Sequence, residues 1–311
     1  MEIWFSHPYY LWLLAPIPII TVFMLLSLKK GKKEIEKLVS LHALEFFFKK
    51  ESFMSNYIKK NFLFFMFKTL TYTIIVFIIA GTILYYNGIA KEQAIVIAID
   101  VSGSMLTEDI KPNRLEAVKE TISIFLEKIL PKSKIAILSF SGNAYIEKEL
   151  SDKEEAIKSI ENIEISPISG TSIGAALKTA VDILNEEKKP KLIVLMSDGS
   201  ENIMPKQALD KIIGEVNKER ITIDVIGIGK IKGAALPGIE LPSTLNEPLL
   251  EDIAKKTNGI YIKAETKQSL TKAYEKLISS TKLKIPIRLT FPLIILAILL
   301  ILIDYIFIRV A

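Results

Sequence analysis

The chain has 311 residues, 50% of them hydrophobic, with 40 Lys and Arg against 35 Asp and Glu, two His and no Cys. That apolar share exceeds what an ordinary soluble domain carries, so part of it is expected to face lipid, and the lack of Cys excludes disulfides, thiolate metal sites and cysteine nucleophiles. The net charge of +5 is spread as Lys beside Asp and Glu, without the basic stripe that nucleic acid requires, so no nucleic-acid partner is expected.

Three apolar runs, at 9–28, 69–86 and 289–308, approach the ~20 residues that cross a hydrocarbon core. The first has Glu2 and no Lys or Arg ahead of it and lacks a small-residue cleavage site, so it reads as an uncleaved span rather than a secretory signal. Nine Lys fall between positions 29 and 60, and the positive-inside rule puts that connector in the cytoplasm. Trp4, Tyr9, Tyr10 and Trp12, and Tyr85 and Tyr86, then form an aromatic belt at the outer interface. The expected partition is a first transmembrane segment at 1–28, a basic cytoplasmic connector at 29–68, a second segment at 69–88, an extracytoplasmic domain at 89–284 and a third segment at 285–311. The chain is thus expected to be a multi-pass protein of the inner (cytoplasmic) membrane.

Within the connector, Ile35, Leu38, Val39, Leu41, Leu44, Phe46, Phe47 and Phe48 form an apolar side, expected either on the inner membrane surface or against the ends of the spans. Lys68 and Asp304 sit at span ends. They either meet headgroup water separately or pair and clamp two helices.

The middle domain alternates strands and helices. Residues 93–100 are apolar on both faces, as in a buried parallel strand. A helix follows from Asn113, with Leu115, Val118, Ile122, Phe125 and Leu126 at helical spacing. Strands are expected at Lys134–Phe140, Lys191–Ser197, Ile221–Ile228 and 260–262, with an edge strand at 143–150. Helices are expected at 172–187, 206–219, 249–257 and 269–279, and a long Gly- and Pro-containing loop at 230–248. The fold class is α/β, a doubly wound, mainly parallel sheet, plus three transmembrane helices.

Such sheets bind ligands beyond the carboxyl ends of their strands. The first strand runs into Asp100-Val101-Ser102-Gly103-Ser104, the strand Lys191–Ser197 runs into Asp198-Gly199, and Ser169-Gly170-Thr171 opens a helix between them. Asp100, Ser102, Ser104, Thr171 and Asp198 offer five oxygens, the donor type a hard cation such as Mg²⁺ prefers, and Gly103 is expected to let the first loop bend. Taken singly, the hydroxyls suit turns and caps and the carboxylates suit solvated strand ends.

Asp100-x-Ser102-x-Ser104, Thr171 and Asp198-Gly199 together resemble the metal-ion-dependent adhesion site of von Willebrand factor type A domains. The order of anchors and domain is similar to that of the membrane proteins of the Bacteroides aerotolerance group, although Asn258-Gly259 and the loop at 230–248 depart from that pattern. The resemblance implies that the Ser and Thr hydroxyls touch Mg²⁺, with Mn²⁺ and Ca²⁺ as alternatives, and that the aspartates bind directly or through water. It also implies a protein partner that brings an acidic residue to the metal, within a membrane-protein complex of the cell envelope. Two other readings are a metal-stabilised scaffold and a metal-dependent phosphoryl-transfer enzyme. Against catalysis, the chain has neither a GxxxxGK phosphate loop nor a GxSxG elbow, and the middle domain lacks His to activate a serine.

Overall fold

The computed structural model describes residues 1–23, 26, 50–88, 90, 92–129, 132–230, 234–236, 239–280 and 283–310. The Lys-rich stretch 29–49, with the apolar side expected at 35–48, lies outside them. Strand β1 (Glu2–Phe5) leads into a 3-10 helix at Pro8–Leu14, and residues 16–23 are helical. Helix α1 (Lys50–Ile79) begins well before the expected span and ends sooner. Strand β2 (Thr82–Gly88) follows and pairs antiparallel with β1. The expected helical segment at 69–88 is therefore helix only as far as Ile79. Hydropathy could not separate the two parts, but Thr82-Ile83-Leu84-Tyr85-Tyr86 is a β-branched and aromatic run suited to a pleated surface. Tyr85 and Tyr86, expected as belt residues of a helix, lie on this strand.

The α/β unit follows in chain order. Its elements are β3 (Ala94–Asp100), α2 (Arg114–Lys128), β4 (Lys134–Phe140), β5 (Ala144–Ser151), α3 (Lys153–Glu161), α4 (Ile173–Leu184) and β6 (Lys191–Ser197). After these come α5 (Lys206–Lys218), β7 (Ile221–Ile228), β8 (Ala234–Leu236), β9 (Ile239–Ser243), α6 (Glu247–Lys256), β10 (Tyr261–Ala264) and α7 (Lys267–Ser280). Six strands form one sheet in the order β10-β7-β6-β3-β4-β5, parallel except for β5. Period-two geometry divides β3 between the faces. Ile95, Ile97 and Ile99 pack toward α2, α3 and α7, while Ala94, Val96 and Ala98 pack toward α4, α5 and α6.

Within the α/β unit, a helix and a hairpin were not expected from sequence. Helix α3 buries only Ala156 and Ile160 among its nine residues, too short a stripe for periodicity to register. The segment read as a loop at 230–248 contains the two-stranded hairpin β8-β9.

Strand β11 (Leu283–Arg288) joins the sheet β1-β2-β11, and helix α8 (Thr290–Val310) closes the described chain. Helices α1 and α8 pack through Ile74, Ala297 and Leu300, with Phe67, Ile78 and Leu293 around them. Lys68 Nζ lies 3.9 Å from Asp304 Oδ2. Among the described residues no helix is long and apolar enough to cross a membrane. The chain divides into two compact units, 1–85 with 287–311, and 86–286; the latter contains the whole domain expected at 89–284.

Candidate metal centre

Strand β3 is the first strand of the six-stranded sheet, and the chain leaves it toward β4 on one side and returns as β6 on the other. This reversal opens the crevice beyond the carboxyl ends of β3 and β6. Asp100 ends β3, and Asp198 follows β6.

Asp100 is fully buried. Its Oδ1 accepts from the Ser102 N–H at 2.9 Å and from Ser102 Oγ at 2.5 Å. Its Oδ2 accepts from Ser197 Oγ at 2.6 Å. Ser104 Oγ lies 3.1 Å from Ser102 Oγ, so the three oxygen-bearing residues of the first loop converge. That loop is a short 3-10 helix, Gly103–Leu106. The expected need for glycine at 103 is not met there, since a Cβ would touch nothing within 4 Å. The demanding position is Gly199, with φ +81, where the chain turns sharply after Asp198 in a region that L side chains avoid.

Thr171 is almost fully buried and is fixed by its backbone. Its N–H donates to Asn202 Oδ1 at 2.8 Å, and its carbonyl accepts from Asn202 N–H at 3.2 Å. Asn202 lies four residues after Asp198, so the second and third motif segments are clamped together. Glu201 reinforces the clamp, its carboxylate accepting from the N–H groups of Gly174, Ile203 and Met204. Further bonds, Ser172 N to Ser141 O and Ser166 N to Val101 O, tie the Thr171 segment to the loops after β4 and β3. The fold thus brings Asp100, Ser102 and Ser104 into direct contact. It attaches Asp198 to Asp100 through Ser197, whose Oγ also accepts from Gly199 N–H. Thr171 joins them through Asn202.

Two residues that sequence reasoning passed over complete the centre. Arg114 opens α2 and is fully buried. Its Nη1 donates to Asp198 Oδ2 at 3.1 Å, while Nε and Nη2 donate to Asp109 Oδ1 and Oδ2 at 2.8 and 2.9 Å. Gly229 makes room for it, because a Cβ there would lie 2.5 Å from Arg114 Nη2. The signal available in the sequence was a cation at the N-terminal end of a helix, where the macrodipole disfavours it.

The electrostatics decide what the crevice accepts. Burial, then the neighbouring Asp198 charge, push the Asp100 carboxyl up to about 7, against the pull of the Ser102 and Ser197 hydrogen bonds. Burial also pushes Asp109 up, but Arg114 bonding and charge, aided by Lys230, outweigh it and hold Asp109 below the ordinary carboxylate value. Three buried carboxylates, Asp100, Asp109 and Asp198, therefore share one buried guanidinium. Hydroxyl oxygens of Ser102 and Ser104 line the same crevice. Charge and donor type both fit a hard divalent cation. No group of three or more His, Cys, Asp or Glu side chains suited to a metal occurs among the described residues. A metal here would be held by two carboxylates and three hydroxyls.

Residues 95–201 match the family described as the von Willebrand factor type A domain. The chain is similar to an aerotolerance-related membrane protein from Bacteroides fragilis NCTC 9343, solved with multiple mutations to serines. The two are 30% identical with a TM-score of 0.54, over 60% of this chain and 99% of that one. It is also similar to the conserved hypothetical protein BatB from Bacteroides thetaiotaomicron, at 27% identity and TM-score 0.52, again over 60% and 99% of the two chains. A UPF0353 protein from Mycolicibacterium paratuberculosis is 27% identical over 200 residues, 60% of each chain. The chain thus spans about 60% of the length of that curated relative.

Proposed function

The chain belongs to the von Willebrand factor type A family and is similar to the aerotolerance-related proteins of Bacteroides, and on that footing we propose that it is a membrane-anchored binding protein. A divalent cation at a metal-ion-dependent adhesion site would be its contact point with a partner protein. Asp100, Ser102, Ser104, Thr171 and Asp198 would hold the cation, with Mg²⁺ as the expected ion and Mn²⁺ or Ca²⁺ as alternatives, and the ion would supply the positive charge that an acidic residue of the partner recognises. The single observation that carries this reading is the charge of the crevice. Three buried carboxylates against one buried Arg114, beside the Ser102 and Ser104 hydroxyls, suit a cation and disfavour an anionic side chain that arrives without one. The bound ion supplies positive charge at the mouth of the crevice. The chain's own residues supply its seat: Ser197 and Ser102 orient Asp100, Asn202 holds the Thr171 segment, and Arg114 holds Asp198.

Anchorage is supported by the apolar surface of the unit formed by 1–85 and 287–311. Trp12 is 80% exposed and Phe23 and Phe291 are each 72% exposed, with Leu299, Leu302 and Ile306 of α8 also open. Large apolar side chains exposed in this number call for a lipid or protein covering. In this reading the unit formed by 1–85 and 287–311 anchors the chain at the inner membrane, the Lys-rich connector faces the cytoplasm and the α/β unit lies outside it.

The test is capture of envelope proteins by the full-length chain in Mg²⁺ and in chelator, alongside Asp100→Ala. Capture that needs both the ion and Asp100, with folding unchanged by circular dichroism, is the expected result. Capture that is indifferent to chelator and to the substitution would overturn the docking mechanism.

A further inference from the structure

The loops on the β4 side of the crevice hold two large apolar side chains in the open. Ile168 is 40% exposed and Ile203 is 50% exposed. An exposed isoleucine taken singly needs no explanation, but these two come from different loops and meet on one shelf. A Cβ placed on Gly142 would lie 2.8 Å from Ile168 Cγ2 and 3.4 Å from Ile203 Cδ1, and one placed on Gly170 would lie 2.8 Å from Ile203 Cδ1. Both side chains therefore rest on bare glycine backbone. Gly170 directly precedes Thr171, and Ile203 directly follows Asn202, whose Oδ1 accepts the Thr171 N–H. The shelf is thus continuous with the segment that carries Thr171 into the oxygen-lined seat.

The backbone under each isoleucine is fixed by a polar side chain. Ile168 N–H donates to Ser166 Oγ at 3.1 Å, and Ser166 Oγ accepts in turn from Ser141 Oγ at 2.9 Å. Ile203 N–H donates to Glu201 Oε1 at 3.1 Å, an oxygen shared with Met204 N–H at 2.9 Å. Side chains presented from loops held in this way lose little freedom when they dock. The chemistry of the two neighbours is complementary. A cation selects a carboxylate and has little means of telling one acidic segment from another. Apolar surface leaves water only when an apolar side chain covers it, so the shelf supplies the discrimination that the ion lacks.

We propose that Ile168 and Ile203 form a specificity-determining rim of the docking site, and that the partner protein presents an aliphatic or aromatic residue within two positions of the acidic residue that the cation receives. This rests on the adhesion-site reading above. The spacing follows from Ile203 lying against the residue next to Thr171, a gap that one or two residues of extended chain cover at about 3.3 Å each.

A random heptapeptide display library selected on the full-length chain in lipid nanodiscs, in Mg²⁺ and in chelator, tests the pairing. The expected peptides are released by chelator and carry Asp or Glu with an aliphatic or aromatic residue within two positions. On Ile168→Ser/Ile203→Ser the acidic residue is still selected and the apolar neighbour is not. A synthetic consensus peptide binds that variant about tenfold more weakly by fluorescence polarisation, whereas Mn²⁺ affinity by titration calorimetry stays within about twofold of wild type. Ile124→Ser, at an isoleucine 44% exposed on α2, leaves both unchanged. Should the double variant fail to fold by circular dichroism, Ile203→Ser alone decides by the same peptide titration. The proposal is overturned if the wild type selects acidic peptides without an apolar neighbour, or if the substituted shelf keeps the same consensus and affinity. It is equally overturned if the shelf serves a second copy of this chain, seen as Mg²⁺-dependent self-association that the double variant loses. Selection that survives chelator, or that yields no acidic peptide, defeats the adhesion-site reading instead.

Discussion

Replacing Asp100 by Asn separates the charge of the centre from its shape. The amide is nearly isosteric, and the surrounding hydrogen bonds can be kept. Its oxygen still accepts from Ser102 N and Oγ, and its NH₂ can donate to Ser197 Oγ, which now donates to Asp100 Oδ2. What changes is that a buried carboxylate is replaced by a neutral group. Without metal, that removal is expected to stabilise the α/β unit by on the order of 1–4 kcal/mol, the range seen when buried ions are replaced by neutral groups of similar volume. With metal the order reverses. A cation at a hundred times its dissociation constant adds about 2.7 kcal/mol to a protein that binds it only when folded, and the neutral variant forfeits that gain. For a unit of this size each kcal/mol is worth about 2–4 °C, so Mg²⁺ is expected to raise the wild-type melting temperature by roughly 5–11 °C and that of Asp100→Asn hardly at all. The assay is a pair of thermal melts by circular dichroism, in chelator and in saturating Mg²⁺, on the full-length chain. Two results refute the reasoning: a wild type that melts identically in both, or a variant that gains as much from Mg²⁺ as the wild type does.

Gly229→Ala places a Cβ against Arg114 Nη2 and Cζ at a position whose φ is +120, and it is expected to destabilise the unit by about 2 kcal/mol or more, measured by chemical denaturation. Glu201→Gln swaps a charged acceptor for an amide at three N–H groups; a loss of about 1–2 kcal/mol and faster hydrogen exchange at Gly174 and Met204 are expected, and unchanged exchange would show that the clamp is not held there. The Lys68 and Asp304 pair is 3.9 Å long with the Lys side chain 54% exposed, so in water it is worth no more than about 1 kcal/mol. If it clamps α1 to α8 within lipid, exchanging the two charges is expected to rescue the loss caused by either neutral substitution, read as the melting temperature in bilayers; failure of the exchange removes the clamp.

Pattern in the sequence was sufficient where one physical cause acted alone. Strands β4, β6 and β7 have the bounds expected of them, since runs that are mainly apolar on both faces suit strands buried between two layers. The antiparallel edge strand β5 was legible from the charged residues toward its end. Where two causes competed, the pattern misled. Residues 82–86 are as apolar as a membrane helix, and hydropathy sees no difference, whereas the β-branched and aromatic side chains favour pairing with β1. Helix α3 carries only two buried residues four apart, below what a periodicity search can detect.

The candidate site divides along the same line. Motif spacing singled out the five oxygen donors because each sits at a strand end or helix start, where the sheet topology makes the location meaningful. The residues that hold them in place have no such spacing. Ser197 hides at the end of an apolar strand, Asn202 and Glu201 follow the last motif residue as ordinary loop polars, and no spacing rule joins Asp109 to Arg114. Only burial distinguishes them: an Arg with no exposed surface, bonded to two carboxylates from segments 89 residues apart in the chain (109 and 198), reports a charge balance that no linear pattern encodes. Donors at a crevice are specified one residue at a time, whereas the field they experience is set by the whole set of buried charges. That field is the quantity on which cation affinity depends.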